Sequence, residues 1–584
     1  MTQEEGIAVA ARRKPSTSDE PVAVADDDYR PPKLTYVDAL GIRDSQVIWS
    51  SAGTESQLSV DTIILIWEVP PSSGDVDEGG SRFITFCLKE QADATHPSSL
   101  SPSPPPFELV ALVSRAIPAQ LREKHLLRKL PCHLRYDGGD DERGRSLEVT
   151  VVVSTGSGTG QASAFWNGVV QPLFELTTHD IDISVNAGGA TPVTKSIADK
   201  HAERIRPRVL ITQNVDSVSH FARTLASTGE GDAATLTPTG QNPTPKRKII
   251  VLLSGDGGVV DLLNGRGNDD ANEDESKDKL PQRYTSPQPT IALIPIGTGN
   301  ALFHSLHSTL APLHGDGVSP LVLSLRTLFR GKPAPLPSFR AAFSPGCLTV
   351  PPSLDVDQSA QDAGVPKLGA RPITHIDGAI VASFGFHASV VYESDTPAHR
   401  RHGIKRFGLV AQELLRESHP YAARVEVRRP ANSSSPSPSS LHSPSSSSTG
   451  VGFVPLPRET HAYVLATVVS HLERTFNISP ASRPLDGKLR LVHFGPVGGE
   501  RTMQAMSAAY NGGRHVDLAW DDGEAVGYEE VEGLRVVTLD EAARWRKICV
   551  DGTIIEMPVG GSLAVTRQEN SGFDIVVDSS LVHS

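Results

Sequence analysis

Three times along this chain a run of β-type aliphatic residues breaks into a glycine-rich turn and continues as a helical pattern. Leu147-Glu-Val-Thr-Val-Val-Val153 runs into Ser154-Thr-Gly-Ser-Gly-Thr-Gly160, and the residues beyond place Phe165, Trp166, Val169, Val170 and Leu173 on one helical face. Lys248-Ile-Ile-Val-Leu-Leu253 ends in Ser254-Gly-Asp-Gly-Gly258, and Ile291-Ala-Leu-Ile-Pro295 ends in Gly297-Thr-Gly-Asn300. Between the first two units, 181–185 reads as a further strand and 194–204 as a further helix. Strand, turn and helix in alternation predict an α/β domain over 145–335 with a parallel sheet.

The flanking segments have a different texture. Residues 1–32 are polar, with alternating basic and acidic patches, and predict disorder. The 33–130 segment shows short β-like runs, then an amphipathic stretch at 107–117; it predicts a small β-rich module with a closing helix, PH-like as one reading. From 336 to 584 the pattern is again β-rich, at 375–391, 462–469, 487–493 and 545–550, which predicts a mainly antiparallel, β-sandwich-like domain. Hydrophilic inserts at 266–289, 351–366 and 431–450 interrupt these patterns; the last is dominated by Ser and Pro, from which no packed core is built.

Composition removes several classes of function. A formal net charge of -13 disfavours a protein built around broad nucleic-acid contact. The four cysteines, Cys87, Cys132, Cys347 and Cys549, form no CxxC pair, which argues against a disulfide framework or zinc site and for a reducing compartment. No segment reaches the ~18 apolar residues of a spanning helix, and the acidic, Ser- and Pro-bearing start does not read as a secretory signal.

Amides at a strand-to-helix turn point outward, and the helix dipole favours an anion there. A single glycine turn is as often geometry as function; three at one edge of a parallel sheet, where ligands bind, point to a phosphate-bearing ligand. The Walker string GxxxxGK[ST] is absent, and Gly156-x-Gly158-x-Gly160 lacks the spacing of a dinucleotide fingerprint. Asp256, between glycines at a strand end, is the candidate catalytic carboxylate and Mg²⁺ ligand, against the plainer role of satisfying turn amides. Asn300 is a candidate phosphate contact, a helix N-cap, or both.

The string Ser254-Gly-Asp-Gly-Gly-Val-Val-Asp-Leu-Leu-Asn-Gly265 resembles the signature of the diacylglycerol/sphingosine kinase superfamily, and Pro295-Ile-Gly-Thr-Gly-Asn-Ala-Leu302 resembles that family's second glycine loop. Phe384-Gly-Phe-His-Ala-Ser-Val-Val-Tyr-Glu-Ser-Asp395, with Arg400-Arg401 and Lys405-Arg-Phe407, is similar to a segment of sphingosine and ceramide kinases, the nearest branches. Val550-Asp-Gly552 resembles the family's Asp-Gly-Glu element. The likeness spans 147–560 with its order kept.

The resemblance implies an ATP- and Mg²⁺-dependent lipid kinase. Asp256 is then catalytic. Ser154, Gly156, Gly158, Ser254, Gly255, Gly257, Asp261, Gly297, Thr298, Gly299, Asn300, Arg400, Arg401, Arg406 and Asp551 hold the nucleotide, and Ser389 and Val391 line the acceptor pocket in a lipid-binding domain at 336–584. The implied acceptor is the primary hydroxyl of a sphingoid long-chain base, with ceramide or diacylglycerol as alternatives. The implied location is cytoplasmic, peripheral to intracellular membranes. The chain departs from the pattern at three points. The first loop lacks the family's Asn and Pro. Thr553 stands where the family has Glu. Ser389-Val-Val391 stands where sphingosine kinases carry Asp-x-Asp, whereas ceramide kinases keep an Asp at the Ser389 position. These departures also keep open a lipid-binding pseudokinase. NAD kinase, which shares a Gly-Gly-Asp turn, is disfavoured by the 384–395 and 400–407 segments.

Overall fold

The aliphatic runs around the glycine turns are buried on both faces, which requires a sheet covered on both sides. The computed structural model of the protein describes residues 34–37, 39–51, 53–69, 81–91, 105–135, 147–178, 205–231, 246–265, 287–310, 317–351, 370–403, 405–431 and 452–582. Within these, strands Arg208–Ile211, Leu147–Val153, Arg247–Ser254 and Thr290–Pro295 lie side by side in that order, each pair parallel. Parallel order places the turns after Val153, Ser254 and Pro295 at one edge of the sheet.

Alternate residues of these strands feed two different cores. Val149, Val151, Val153, Ile249, Val251 and Leu253 pack with Phe165, Trp166, Val169, Val170 and Leu173 of the helical segment 162–178 and with the buried face of helix Pro320–Arg330. Val152, Ile250, Leu252 and Leu293 pack on the opposite side with helices Ser217–Gly231, Asp256–Gly265 and Ala301–His307. The period-2 alternation of a strand thus assigns each helix its side of the sheet.

The N-terminal module has a five-stranded sheet, in the order Leu34–Tyr36, Phe107–Ser114, Arg82–Glu90, Ile63–Val69, Leu126–Leu127, and a three-stranded meander from Leu40 to Ser59. Its sheet shares the core of the 162–178 segment, with Phe107 edge-on to Phe165 at 5.0 Å between ring centres. Arg326, buried on helix Pro320–Arg330, donates from Nε to the Ile63 carbonyl at 2.9 Å and from a terminal nitrogen to the Asp61 carbonyl at 3.2 Å.

The second lobe holds a seven-stranded and an eight-stranded sheet, and every strand pairing in them is antiparallel. Phe384, Leu465, Leu491 and Ile548 of the larger sheet share one core with Val425, Val536 and Val565 of the smaller. The chain then returns. Strand Asp574–Val577 inserts between Thr290–Pro295, to which it is parallel, and Lys332–Pro335, to which it is antiparallel.

Several expectations change. The stretch at 107–117 is mostly a strand, Phe107–Ser114, because its apolar alternation pairs it between two neighbours; the closing helix is Ala119–His125. The expected strand at 375–391 is two strands, His375–Gly378 and Val381–Gly385, followed by helix Phe386–Ser394. The expected strand at 545–550 begins at Lys547, after a short 3₁₀ turn Ala543–Trp545. The outer parallel strand is Arg208–Ile211, too short to stand out in the sequence. The strand and helix expected at 181–185 and 194–204, the disorder expected for 1–32, and nearly all of the three hydrophilic inserts lie outside the described residues.

Candidate active site

The three turns touch one another. A Cβ on Gly158, which has φ +56°, would strike the Ile296 carbonyl oxygen. One on Gly297 would sit 2.5 Å from the Gly255 Cα, so the second and third turns meet backbone to backbone. Ser157 ties the first turn to the second: its Oγ donates to Ser154 Oγ at 2.8 Å and lies 3.1 Å from Ser254 Oγ. Thr155 anchors the first turn's other flank, its amide donating to Thr212 Oγ1 at 3.0 Å and its hydroxyl to the Thr212 carbonyl at 2.8 Å. Gly156 and Gly257 face open space, and Thr298 is exposed, so the packed turns present a bare backbone outward.

Asp256 opens its helix, half-buried, and reaches across to the third turn. Its Oδ2 accepts from the Ala301 amide at 2.7 Å and its Oδ1 from the Leu302 amide at 3.2 Å. The cap of helix Ala301–His307 is therefore Asp256. Asn300, whose side chain makes no capping bond, adopts the left-handed region (φ +53°) and donates from Nδ2 to the Gly297 carbonyl at 2.7 Å. The N-cap role read for Asn300 thus passes to another residue. Its buried Oδ1 has no hydrogen-bond partner. Burial pushes the Asp256 carboxyl up to about 6, against the lowering effect of its two amide donors.

Asp551 comes from the second lobe with φ +47°. Its carboxylate accepts from the amides of Ala379 at 2.6 Å, Ile380 at 3.1 Å and Val381 at 2.5 Å. It is buried, and its carboxyl is raised to about 7 by burial, with the charge of Asp256 adding to the rise. Asp551 therefore shapes the 378–381 corner beside Asp256, and its oxygens are taken up by that corner. Asn264 pins the same corner: its Nδ2 donates to the Asp377 carbonyl at 2.8 Å, and its Oδ1 accepts the Asp377 amide at 2.9 Å.

The remaining candidates have surroundings of their own. Asp261 is five residues from Asp256 and so on another face of the helix; its carboxyl is raised to about 6 by burial and then by Asp216. Arg400 is held in a two-pronged pair with Asp395, both contacts 2.8 Å, while Arg401 is exposed beside His402. Arg406 lies over the Phe407 ring at 4.8 Å. Ser389 is buried and hydrogen-bonded to Tyr421, while Val391 packs with Cys549 and Ile554, so the two do not face one pocket. Thr553 begins the strand after the Asp551–Gly552 turn, half-buried. Ser157, Thr212 and Asn264 were not singled out from sequence; the serine between two glycines of the first turn was the only local signal for the first of them.

Mg²⁺ takes one or two carboxylates, with phosphate oxygens and water completing its octahedron. Asp256 fits, because each of its oxygens accepts one amide and keeps a further acceptor position. Asp551 does not offer the same room. Among the described residues no three His, Cys, Asp or Glu side chains converge.

A parallel sheet whose glycine turns gather at one edge around a carboxylate defines an α/β protein equipped for a phosphate-bearing ligand. Residues 208–314 match the family model of the diacylglycerol kinase catalytic domain. That segment contains the second and third turns and Asp256, and it excludes the first turn. No curated protein sequence matches the chain. Similar solved structures include a candidate diacylglycerol kinase from Bacillus anthracis str. Sterne, with TM-score 0.40 and 12% identity over 76% of this chain and 99% of that one. A second, titled a diacylglycerol kinase from the same strain, has TM-score 0.38 and 11% identity over 74% of this chain and 98% of that one.

Proposed function

We propose that the protein is an ATP-dependent lipid kinase that moves the terminal phosphate of ATP to the hydroxyl of a neutral, diacylglycerol-type lipid. The observation that carries this reading is the seat of Asp256, half-exposed between the second and third glycine turns. Amides of the turns hold phosphate oxygens, which is where phosphoryl transfer draws most of its rate. With its acidity moved to about 6, Asp256 is ionised at neutral pH yet basic enough to take the hydroxyl proton as the new O–P bond forms. Mg²⁺, when bound, neutralises charge on the phosphates. Asp551 and the 378–381 corner set the position of the second lobe beside that carboxylate.

The acceptor reading moves away from a sphingoid base. A protonated amine needs a carboxylate partner, and the helix Phe386–Ser394 has a single acid, Glu393, which Arg544 already grips at 2.7 and 3.2 Å. Ser389 is occupied by Tyr421. A neutral alcohol makes no such demand, so diacylglycerol is favoured and ceramide is the second reading. No helix among the described residues is long and apolar enough to cross a membrane. The lipid is proposed to be met at a membrane surface, on the ATP-rich, reducing side, where the four free cysteines remain thiols.

The test is transfer of labelled phosphate from Mg·ATP to diacylglycerol, ceramide, sphingosine and phytosphingosine in mixed micelles, with nucleotide binding measured in parallel. The expected order places diacylglycerol first. Absence of both nucleotide binding and transfer overturns the kinase reading, and preference for sphingosine overturns the acceptor reading alone.

A further inference from the structure

Parallel strands that carry their glycine turns at one end of the sheet have their starts together at the other. Leu147–Val153 climbs ~3.3 Å per residue, which puts Glu148, its second residue, about 20 Å from the turn at Ser154. At that far end a cleft of about 230 Å³ opens, lined by Glu148, Arg206, Arg208 and Lys246, with Leu147 and Ile205 among its apolar residues. Three segments meet there. Arg208 opens strand Arg208–Ile211, and Arg206 stands two residues before it. Glu148 comes from the neighbouring strand, and Lys246 immediately precedes strand Arg247–Ser254. The register sets Arg208 beside Thr150 and Lys248 beside Glu148, so the charged residues are gathered by the strand pairing itself.

The cations at this end of the sheet divide into two sets. Arg247 donates from a terminal nitrogen to the Cys132 carbonyl at 2.8 Å, and Lys248 donates from Nζ to the Leu225 carbonyl at 3.2 Å, so both serve the packing of the chain. Arg206, Arg208 and Lys246 are exposed, and among the described residues none of the three makes an ion pair or a side-chain hydrogen bond. Glu148, half-buried, is the one carboxylate lining the cleft, and it makes no ion pair with any of them. Three positive charges and one negative leave the cleft with a surplus of two, in a chain whose formal net charge is -13. Cations gathered in this way repel one another, and a bound anion relieves that repulsion.

We propose that this cleft is a second ligand site, which binds a hydroxyl-bearing phosphate monoester carried by a small soluble ester or by a lipid headgroup. It lies at the opposite end of the sheet from the glycine turns, so it stands apart from the kinase reading above. A phosphate monoester carries about −1.5 to −2 charge at neutral pH, which matches the surplus of two. Arg206 and Arg208 offer planar pairs of donors to its oxygens, and Lys246 adds a point charge. Glu148 opposes a bare anion, yet its carboxylate accepts from hydroxyl groups, which favours an ester with a hydroxyl near the phosphate over inorganic phosphate. The volume falls below the ~300–1,000 Å³ of pockets for drug-sized ligands, so a single small headgroup fills it.

The test measures binding to the full chain of glycerol 3-phosphate and of inorganic phosphate by calorimetry, and of phosphatidylcholine vesicles containing 1-acylglycerol 3-phosphate by sedimentation. The proteins compared are the unaltered chain, Arg206→Ala, Arg208→Ala, Arg208→Lys and Glu148→Gln. The expected result is tighter binding of the ester than of inorganic phosphate, and a roughly tenfold or greater weakening for each Arg→Ala variant. Arg208→Lys keeps the charge without the fork and weakens binding less, and Glu148→Gln narrows the preference for the ester. Binding of the soluble ester assigns the site to a soluble ligand, and binding of the vesicles alone assigns it to a headgroup; in either arm the loss in Arg208→Ala supports the proposal. Failure of both probes to bind overturns it, as does affinity within about twofold of the parent in both Arg→Ala variants. Equal affinity of the unaltered chain for inorganic phosphate and the ester overturns the assigned ligand class.

Discussion

Replacing Asp256 with Asn keeps the shape of the side chain and removes its charge. Two amide donors now end on that carboxylate, Ala301 at 2.7 Å and Leu302 at 3.2 Å. Asn supplies one acceptor oxygen, and its NH₂ group faces the second N–H, so one charge-assisted bond weakens and the other is lost. Loss of a cap of this kind costs about 0.5–2 kcal/mol, and a hydrogen bond to a charged group contributes about 1.5–3 kcal/mol. A local cost of about 2 kcal/mol corresponds to roughly 30-fold faster exchange of the Ala301 and Leu302 amides, read by hydrogen–deuterium exchange with mass spectrometry. Removing a general base lowers turnover by about 10²–10⁴. The expected outcome is therefore a folded protein with a loosened third turn, nucleotide affinity weakened only a few-fold, and phosphate transfer lost by at least two orders of magnitude. An Asn variant that turns over within threefold of the parent removes Asp256 from the chemistry. Unchanged exchange at Ala301 and Leu302 denies the cap.

Three further outcomes follow from the same geometry. Asp256 and Asp551 are raised above their ordinary 3.8, to about 6 and about 7, so the folded chain holds these protons more tightly than the unfolded one. Their stabilising contribution is fully present below about pH 4 and is lost as pH rises through 6 to 7, which denaturant titrations across that range measure. Turnover requires ionised Asp256 and rises through about pH 6; Asp551 is still protonated there, so Asp551→Asn leaves the midpoint of that rise in place, and a shifted midpoint denies that order of ionisation. Gly297→Ala forces a Cβ to 2.5 Å from the Gly255 Cα and 2.8 Å from Asn300 Oδ1, costing about 1–3 kcal/mol and nucleotide binding, while Gly257→Ala, facing open space, leaves the thermal midpoint unchanged. Arg326→Ala strips donors from the Ile63 and Asp61 carbonyls at a cost of about 2–4 kcal/mol, and limited proteolysis then releases the N-terminal module faster; an unchanged cleavage rate rejects that anchor.

The α/β sheet was legible because each of its inner strands is a mainly aliphatic run leading into a glycine turn, and the turns were legible because close backbone contact excludes side chains. Gly158 and Gly297 are glycines for that reason, whatever ligand the edge receives. The arrangement around Asp256 was hidden because it depends on partners far away in sequence. Nothing local in Ala301 or Leu302 announces a donor to a residue 45 positions earlier, and nothing in Asp551 tells that its oxygens turn to Ala379–Val381. Around Arg400 the string likewise does not tell the pairing, in which Asp395, five residues away, holds the guanidinium. The last strand was equally unreadable: Asp574-Ile-Val-Val577 has the pattern of any short β-run, and only tertiary pairing assigns it to the first sheet.

That homecoming strand has a consequence for how the molecule is made. While a ribosome is still extruding the antiparallel lobe, the parallel sheet has a vacant slot between Thr290–Pro295 and Lys332–Pro335, and the apolar partners of Ile575 and Val577 stay uncovered. The first lobe cannot be cut out of the gene as one continuous piece, because its seam is sewn with thread from beyond the second.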